Sequence, residues 1–178
     1  MTKVFRLILS SLLVLFALYS TQAQTPSITN VTSLKLSDLN GKAFTFENYK
    51  GNILLISFGA TWCPSCRTEL TALEELQKEY KDKKVKFFWV SIDDKETQNK
   101  KISDFAKRLN FTLPILRDPE AKVYFKFTTR QLLPAIVFTQ TDGTVVSPVH
   151  FGMFPTSEDF KKHMRRRIDA IVKAEKPT

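Results

Sequence analysis

Phe58-Gly59-Ala60-Thr61-Trp62-Cys63-Pro64-Ser65-Cys66 is the stretch that decides the reading of this chain. On its N-terminal side, Ile53 to Phe58 is a continuous apolar run of strand length, as expected for a strand covered on both faces. On its C-terminal side, about Pro64 to Tyr80 repeats apolar residues at helical spacing. The chain's two cysteines therefore sit where a buried strand gives way to an amphipathic helix. Three positions apart, they cannot staple distant parts of a fold, so a framework disulfide is not their expected role.

Their setting suits thiol–disulfide exchange. Cys63 lies at the helix N-terminus, where free N–H groups and the positive end of the dipole favour a thiolate. Pro64 suits the first helical turn, because its missing N–H has no partner to lose there. Cys66 lies one turn deeper, placed to attack a mixed disulfide formed at Cys63, so Cys63 reads as the nucleophile and Cys66 as the resolving thiol. Zinc is the competing reading of such a pair. A structural zinc site takes four ligands, and beyond the cysteines the chain offers His150 and His163 on a predicted strand end and a helix. No metal and no cofactor is expected.

Glu69 joins the pair by helical geometry. At about 100° per residue, Cys66 and Glu69 fall inside the stripe made by Leu70, Leu73, Leu76 and Tyr80. Arg67, Glu74, Glu75, Lys78 and Glu79 fall outside it. A carboxyl on the buried face has its pKa raised by desolvation and could exchange a proton with Cys66. The alternative is a first-turn glutamate that stays wet and favours the helix dipole.

Farther out, the N-terminus reads as an address. Lys3 and Arg6 precede an apolar run from Leu7 to Tyr19, and Thr21-Gln22-Ala23 offers a cleavage site, the layout of a secretory signal peptide. The alternative is a retained membrane anchor, although the run is short of the roughly 20 residues that a spanning helix needs. Cleavage removes two positive charges, and the net charge falls from +9 to +7. Much of the surplus lies in Lys161, Lys162, Arg165, Arg166 and Arg167. Phe160, Met164, Ile168 and Ile171 recur beside them at helical spacing, so the cluster reads as a solvated helix face and no nucleic-acid partner is expected.

The remaining pattern supplies the scaffold. Ser33 to Leu36 and Ala43 to Phe46 flank Asn40-Gly41, predicting a β-hairpin. Strands are expected at Lys84–Ile92, Leu113–Leu116, Ala135–Thr139 and Thr144–Val149, the last two joined by Asp142-Gly143. Helices are expected at Thr97–Leu109, Glu120–Phe127 and Ser157–Lys173, the last capped by Thr156 or Ser157. Strands alternating with helices, then a closing hairpin and helix, indicate an α/β sandwich on a mixed sheet.

These motifs resemble the thioredoxin-like TlpA/ResA family of exported bacterial oxidoreductases over most of the mature chain, from about Leu34 to Val172. The resemblance rests on Leu39-Asn40-Gly41-Lys42, on Ala60-Thr61-Trp62-Cys63-Pro64-Ser65-Cys66-Arg67, and on Leu133-Pro134 before a strand. Behind the expected signal peptide over 1–23 and a polar leader over 24–32, it implies one thioredoxin-like α/β domain over 33–174, with a central mixed sheet flanked by helices and an N-terminal β-hairpin extension. Family members place an acidic residue three positions after the second cysteine, which falls on Glu69. The resemblance also implies that Pro134 follows a cis peptide bond and faces the dithiol, that Leu133 offers its backbone to an extended substrate, and that Trp62 forms an apolar rim.

Two departures stand out. Thioredoxin buries an aspartate six residues before the first cysteine; here that position is Ser57, so proton transfer shifts to Glu69. The dipeptide between the cysteines is Pro-Ser, in place of Gly-Pro or Glu-Pro, and it leaves the direction of electron flow open. The resemblance implies a periplasmic, monomeric enzyme that reduces disulfide-bearing exported proteins, takes electrons from a membrane thiol donor and serves processes such as cytochrome c maturation. A thiol peroxidase is the second reading; peroxiredoxins use Thr three residues before the reactive cysteine and Pro four before that, where this chain has Ala60 and Ile56. A non-catalytic binding or metal-handling module is the third; related copper carriers space their cysteines by three residues, and this chain by two.

Overall fold

The computed structural model describes residues 28–175; the expected signal peptide, residues 1–23, lies outside the described residues. In chain order the elements are β1 (Lys35–Asp38), β2 (Ala43–Thr45), β3 (Ile53–Gly59), α1 (Pro64–Glu79), β4 (Val85–Ser91), α2 (Asn99–Arg108), β5 (Ile115–Arg117), β6 (Ala135–Thr139), β7 (Val145–Phe151) and α3 (Ser157–Ala174). Short 3-10 turns occupy Phe46–Tyr49 and Tyr124–Lys126. The strands form one sheet in the order β2-β1-β5-β4-β3-β6-β7. β3, β4 and β5 run parallel, while β6 lies antiparallel to β3, and β1 antiparallel to β5. This is the mixed-sheet, thioredoxin-like α/β fold with a leading hairpin.

β3 is buried along its whole length because both faces of the sheet are covered. On one face, Leu55, Phe87 and Trp89 meet Leu70, Leu73 and Leu76 of α1, Ile102 and Phe105 of α2, and Phe160, Met164 and Ile168 of α3. On the other, Leu54, Ile56, Phe58 and Phe88 meet Val31, Leu34, Phe46, Tyr124 and Phe127. The three long helices thus share one face, and short turns with the leading segment cover the other. The helix expected over Glu120–Phe127 is reduced to a single 3-10 turn. Ala121 adopts a φ of +51°, which a continuous right-handed helix cannot hold. Asp118 Oδ2 instead accepts from the N–H groups of Val123 and Tyr124 at 2.9 and 2.8 Å.

The leading hairpin forms as expected, with β1 beginning two residues later than its apolar pattern suggested and β2 beginning at Ala43. Asp38 Oδ1 accepts from the N–H groups of Asn40 and Lys42, while Gly41 takes a φ of +78° that favours glycine. Thr156 caps α3 by accepting from the Asp159 N–H at 3.1 Å. Part of the C-terminal basic cluster is turned toward α1: Arg165 grips Glu79 with two nitrogens at 2.8 and 2.9 Å, and Lys161 meets Glu75 at 2.6 Å. Exposed pairs of this kind contribute about 0–1 kcal/mol each, so the apolar stripe docks α3 and the charges set its register. Glu74, outside the apolar stripe of α1, is nevertheless buried, because its carboxylate accepts from the N–H and hydroxyl of Thr112, both at 2.8 Å.

Gly59 ends β3 at a close approach between helix and sheet. A Cβ there would lie 2.8 Å from Trp89 Nε1 and 3.2 Å from Cys66 Sγ, both fully buried. Gly59→Ala is expected to destabilise the fold by about 1–3 kcal/mol, read as a lowered denaturant midpoint with an unchanged m-value.

Candidate active site

β3 delivers the chain to the C-terminal edge of the sheet, and the turn Ala60–Trp62 leads into α1. Cys63 is the N-cap of that helix, in an extended conformation, and its sulfur accepts from the Cys66 N–H at 3.2 Å. A side chain at this position receives the free N–H groups and positive dipole end of α1, which stabilise a thiolate. The two cysteines are joined as a disulfide with Cα atoms 5.3 Å apart. Cys63 keeps 5% of its surface exposed and Cys66 none. The outer sulfur is therefore the one that an incoming disulfide can reach.

Glu69 is fully buried, one turn beyond Cys66 on the same face. Its Oε1 accepts from the Ser57 hydroxyl at 2.6 Å, and Oε2 has no hydrogen-bond partner among the described residues. Burial pushes its pKa up to about 8, and the Ser57 hydrogen bond offsets only part of that shift. Ser57 is thus the carboxyl's hydrogen-bond donor as well as the residue at the position of thioredoxin's aspartate. Strand alternation held the clue, since Ser57 shares the helix-facing side of β3 with Leu55.

Of the residues expected to meet substrate, Trp62 and Leu133 line the space beside Cys63. The Leu133–Pro134 peptide bond is cis. Leu133 packs against the dithiol with Ile92, and its carbonyl faces the Ser65 hydroxyl at 3.4 Å. Pro134 is buried, and its carbonyl accepts from the Gly152 N–H at 2.8 Å. Trp62 is 67% exposed. An apolar cavity of about 470 Å³ lies between Trp62, Cys63, Ile92, Tyr124, Phe125 and Leu133. Trp62, Phe125 and Leu132 are the exposed large hydrophobic residues of the described chain. Phe125 went unnoticed in the sequence because a regular helix was expected there. His150 and His163 lie on β7 and α3, their rings 5.2 Å apart and both against Phe154.

Residues 29–147 match the AhpC/TSA family. The chain is 31% identical over 134 residues to the thioredoxin-like protein YneN of Bacillus subtilis, covering 75% of this chain and 74% of that one. It is 28% identical over 129 residues to the thiol-disulfide oxidoreductase ResA of Geobacillus thermodenitrificans, covering 72% and 71% respectively. Among solved structures, a thioredoxin-family thiol:disulfide interchange protein of Chlorobium tepidum matches with a TM-score of 0.62 at 22% identity, over 78% of this chain and 94% of that one. StoA of Bacillus subtilis matches at 0.58 and 21%, over 74% and 95%.

The state of Glu69 has a measurable signature. A carboxyl with a raised folded-state pKa holds its proton more tightly when folded, so its contribution is fully favourable below the ordinary glutamate value of 4.5 and is lost as pH climbs through about 8. Glu69→Gln is expected to flatten that decline in stability, read by chemical denaturation between pH 5 and 9. The same variant should slow thiol exchange by about 10²-fold and shift its pH profile; an unchanged profile would remove Glu69 from the proton transfer.

Proposed function

Because this chain belongs to the AhpC/TSA family and is a thioredoxin-like thiol–disulfide oxidoreductase, we propose that it works outside the cytoplasm, reducing disulfides in other exported proteins through Cys63 and Cys66. The observation that carries this reading is the apolar cavity opening beside an almost buried nucleophile. Such a surface suits an unfolded or extended polypeptide better than a small polar oxidant. The signal-peptide layout read in the sequence of residues 1–23 supports the location, and a membrane thiol carrier is the proposed electron donor. Maturation of cytochrome c is one process that this reductant would serve.

The proposed reaction runs through the disulfide pair and the buried carboxyl. The Cys63 thiolate attacks one sulfur of the substrate disulfide, forming a mixed disulfide and releasing the other sulfur as a thiolate that takes up a proton. Cys66 passes its proton to Glu69 and attacks the Cys63 sulfur. The Cys63–Cys66 disulfide closes, the second substrate thiol departs, and two electrons have passed to the substrate. A carboxyl with its pKa near 8 is poised close to working pH, so it can take the Cys66 proton here and return it when the donor reopens the disulfide. Trp62 and Leu133 line the hollow beside the attacking sulfur, and Leu133 would offer backbone to an extended partner. The peroxidase reading finds Ala60, buried and apolar, where a hydroxyl would be needed to bind peroxide.

Cys66→Ser is expected to trap exported substrates as mixed disulfides on Cys63, identifiable by diagonal electrophoresis and mass spectrometry. The wild-type couple is expected at a potential of about −250 mV or lower, the reducing end of the thioredoxin-like range. A value near −120 mV would make the protein an oxidant.

A further inference from the structure

Just beyond β4 lies a buried polar cluster that the exchange chemistry does not use. Asp93 is fully buried. Its carboxylate accepts the Thr61 N–H at 3.0 and 3.2 Å and the Thr61 hydroxyl at 2.6 Å. Oδ2 also accepts from the Ser91 hydroxyl at 2.8 Å. That hydroxyl oxygen in turn accepts from Arg117 Nη1 at 3.1 Å and from the Asp93 N–H at 3.3 Å. Arg117 is itself buried, and its Nη2 donates to the Asp94 carbonyl at 2.8 Å.

A buried carboxylate and a buried guanidinium are costly unless neutralised and fully hydrogen-bonded. Here one hydroxyl, Ser91, relays the charge of Arg117 to Asp93. What the arrangement grips is Thr61, two residues before the nucleophile. A stretch without regular secondary structure runs from the end of β3 to the N-cap of α1, and the Cys63 N–H closes it by donating to the Ala60 carbonyl at 3.2 Å. Hydrogen bonds to a charged acceptor are about twice as strong as neutral ones. Two donors from one residue on the same carboxylate fix both the position and the rotation of that stretch.

We propose that Asp93, held by Ser91 and Arg117, is a positioning residue that acts through Thr61 to present Cys63 at the helix N-cap. A turn tied to the sheet keeps the Cys63 sulfur on the Cys66 N–H and at the mouth of the apolar cavity. A turn tied only by its own backbone would let that sulfur drift, and displacements of about 1 Å can cost 10²-fold in rate. This inference rests on Cys63 being the attacking sulfur.

The test uses the reduced full-length protein and a small aromatic disulfide, with iodoacetamide labelling of Cys63 followed against pH. Thr61→Val is expected to slow disulfide attack at the high-pH plateau about tenfold or more and to move the alkylation midpoint upward, since the N-cap bond loosens. Thr61→Ser, which keeps the hydroxyl, is expected to remain within about twofold of wild type. Asp93→Asn added to Thr61→Val is expected to slow attack no further, because both act through one contact. Plateau rate and midpoint unchanged in Thr61→Val would overturn the proposal, as would multiplicative effects in the double variant. Should Asp93→Asn fail to fold, the Val and Ser variants at Thr61 decide the matter alone. A wild-type protein that fails to react through Cys63 would instead remove the oxidoreductase reading itself.

Discussion

The structure is organised around one costly burial: a carboxyl group under α1, with a single hydroxyl for company. Glu69 sits where the apolar stripe of α1 meets the helix-facing side of β3, and Ser57 donates the one hydrogen bond that Oε1 receives. Replacing it by an apolar residue would make a better core and a poorer enzyme. Its low-dielectric setting, one helical turn from Cys66, keeps its pKa near 8. The arrangement needs β3 covered on both faces, α1 held hard against it, and the dithiol at the first turn of that helix.

The rest of the molecule supplies those conditions. α3 docks on α1 through Phe160, Met164 and Ile168, while the short turns and leading segment seal the opposite face of the sheet. Gly59 allows Trp89 and Cys66 to approach the backbone closely enough to exclude water from the inner sulfur. The outer sulfur faces an apolar hollow between Trp62 and Phe125. Two sulfurs of one disulfide thus experience opposite surroundings, one at an accessible helix N-terminus and one in a dry core beside a carboxyl. In the proposed reaction that asymmetry divides attack from resolution.

Much of this could be read from the chain. The apolar run into Cys63, the stripe that includes Cys66 and Glu69, and the Asn40-Gly41 turn each rest on local periodicity or turn chemistry, and each stands in the structure. What escaped was non-local. Ser57 looked like a lost aspartate because its partner lies twelve residues away on another element. Asp93 and Arg117 carried no motif, since their meaning comes from the register that sets Ser91 opposite Arg117 across β4 and β5. Glu74 looked solvated on a helical wheel, yet it is buried because Thr112 arrives to satisfy it. A helix was expected over Glu120–Phe127, but Asp118 takes the N–H groups of Val123 and Tyr124.

Glu69 as the dithiol's proton partner is the claim on which the account turns, and its own titration tests it most directly. Carbon-13 NMR of the side-chain carboxyl in the oxidised protein should give a midpoint near 8, several units above that of an exposed glutamate. A midpoint near 4.5 would mean a solvated or ion-paired carboxylate, and would contradict both its burial and its place in the reaction.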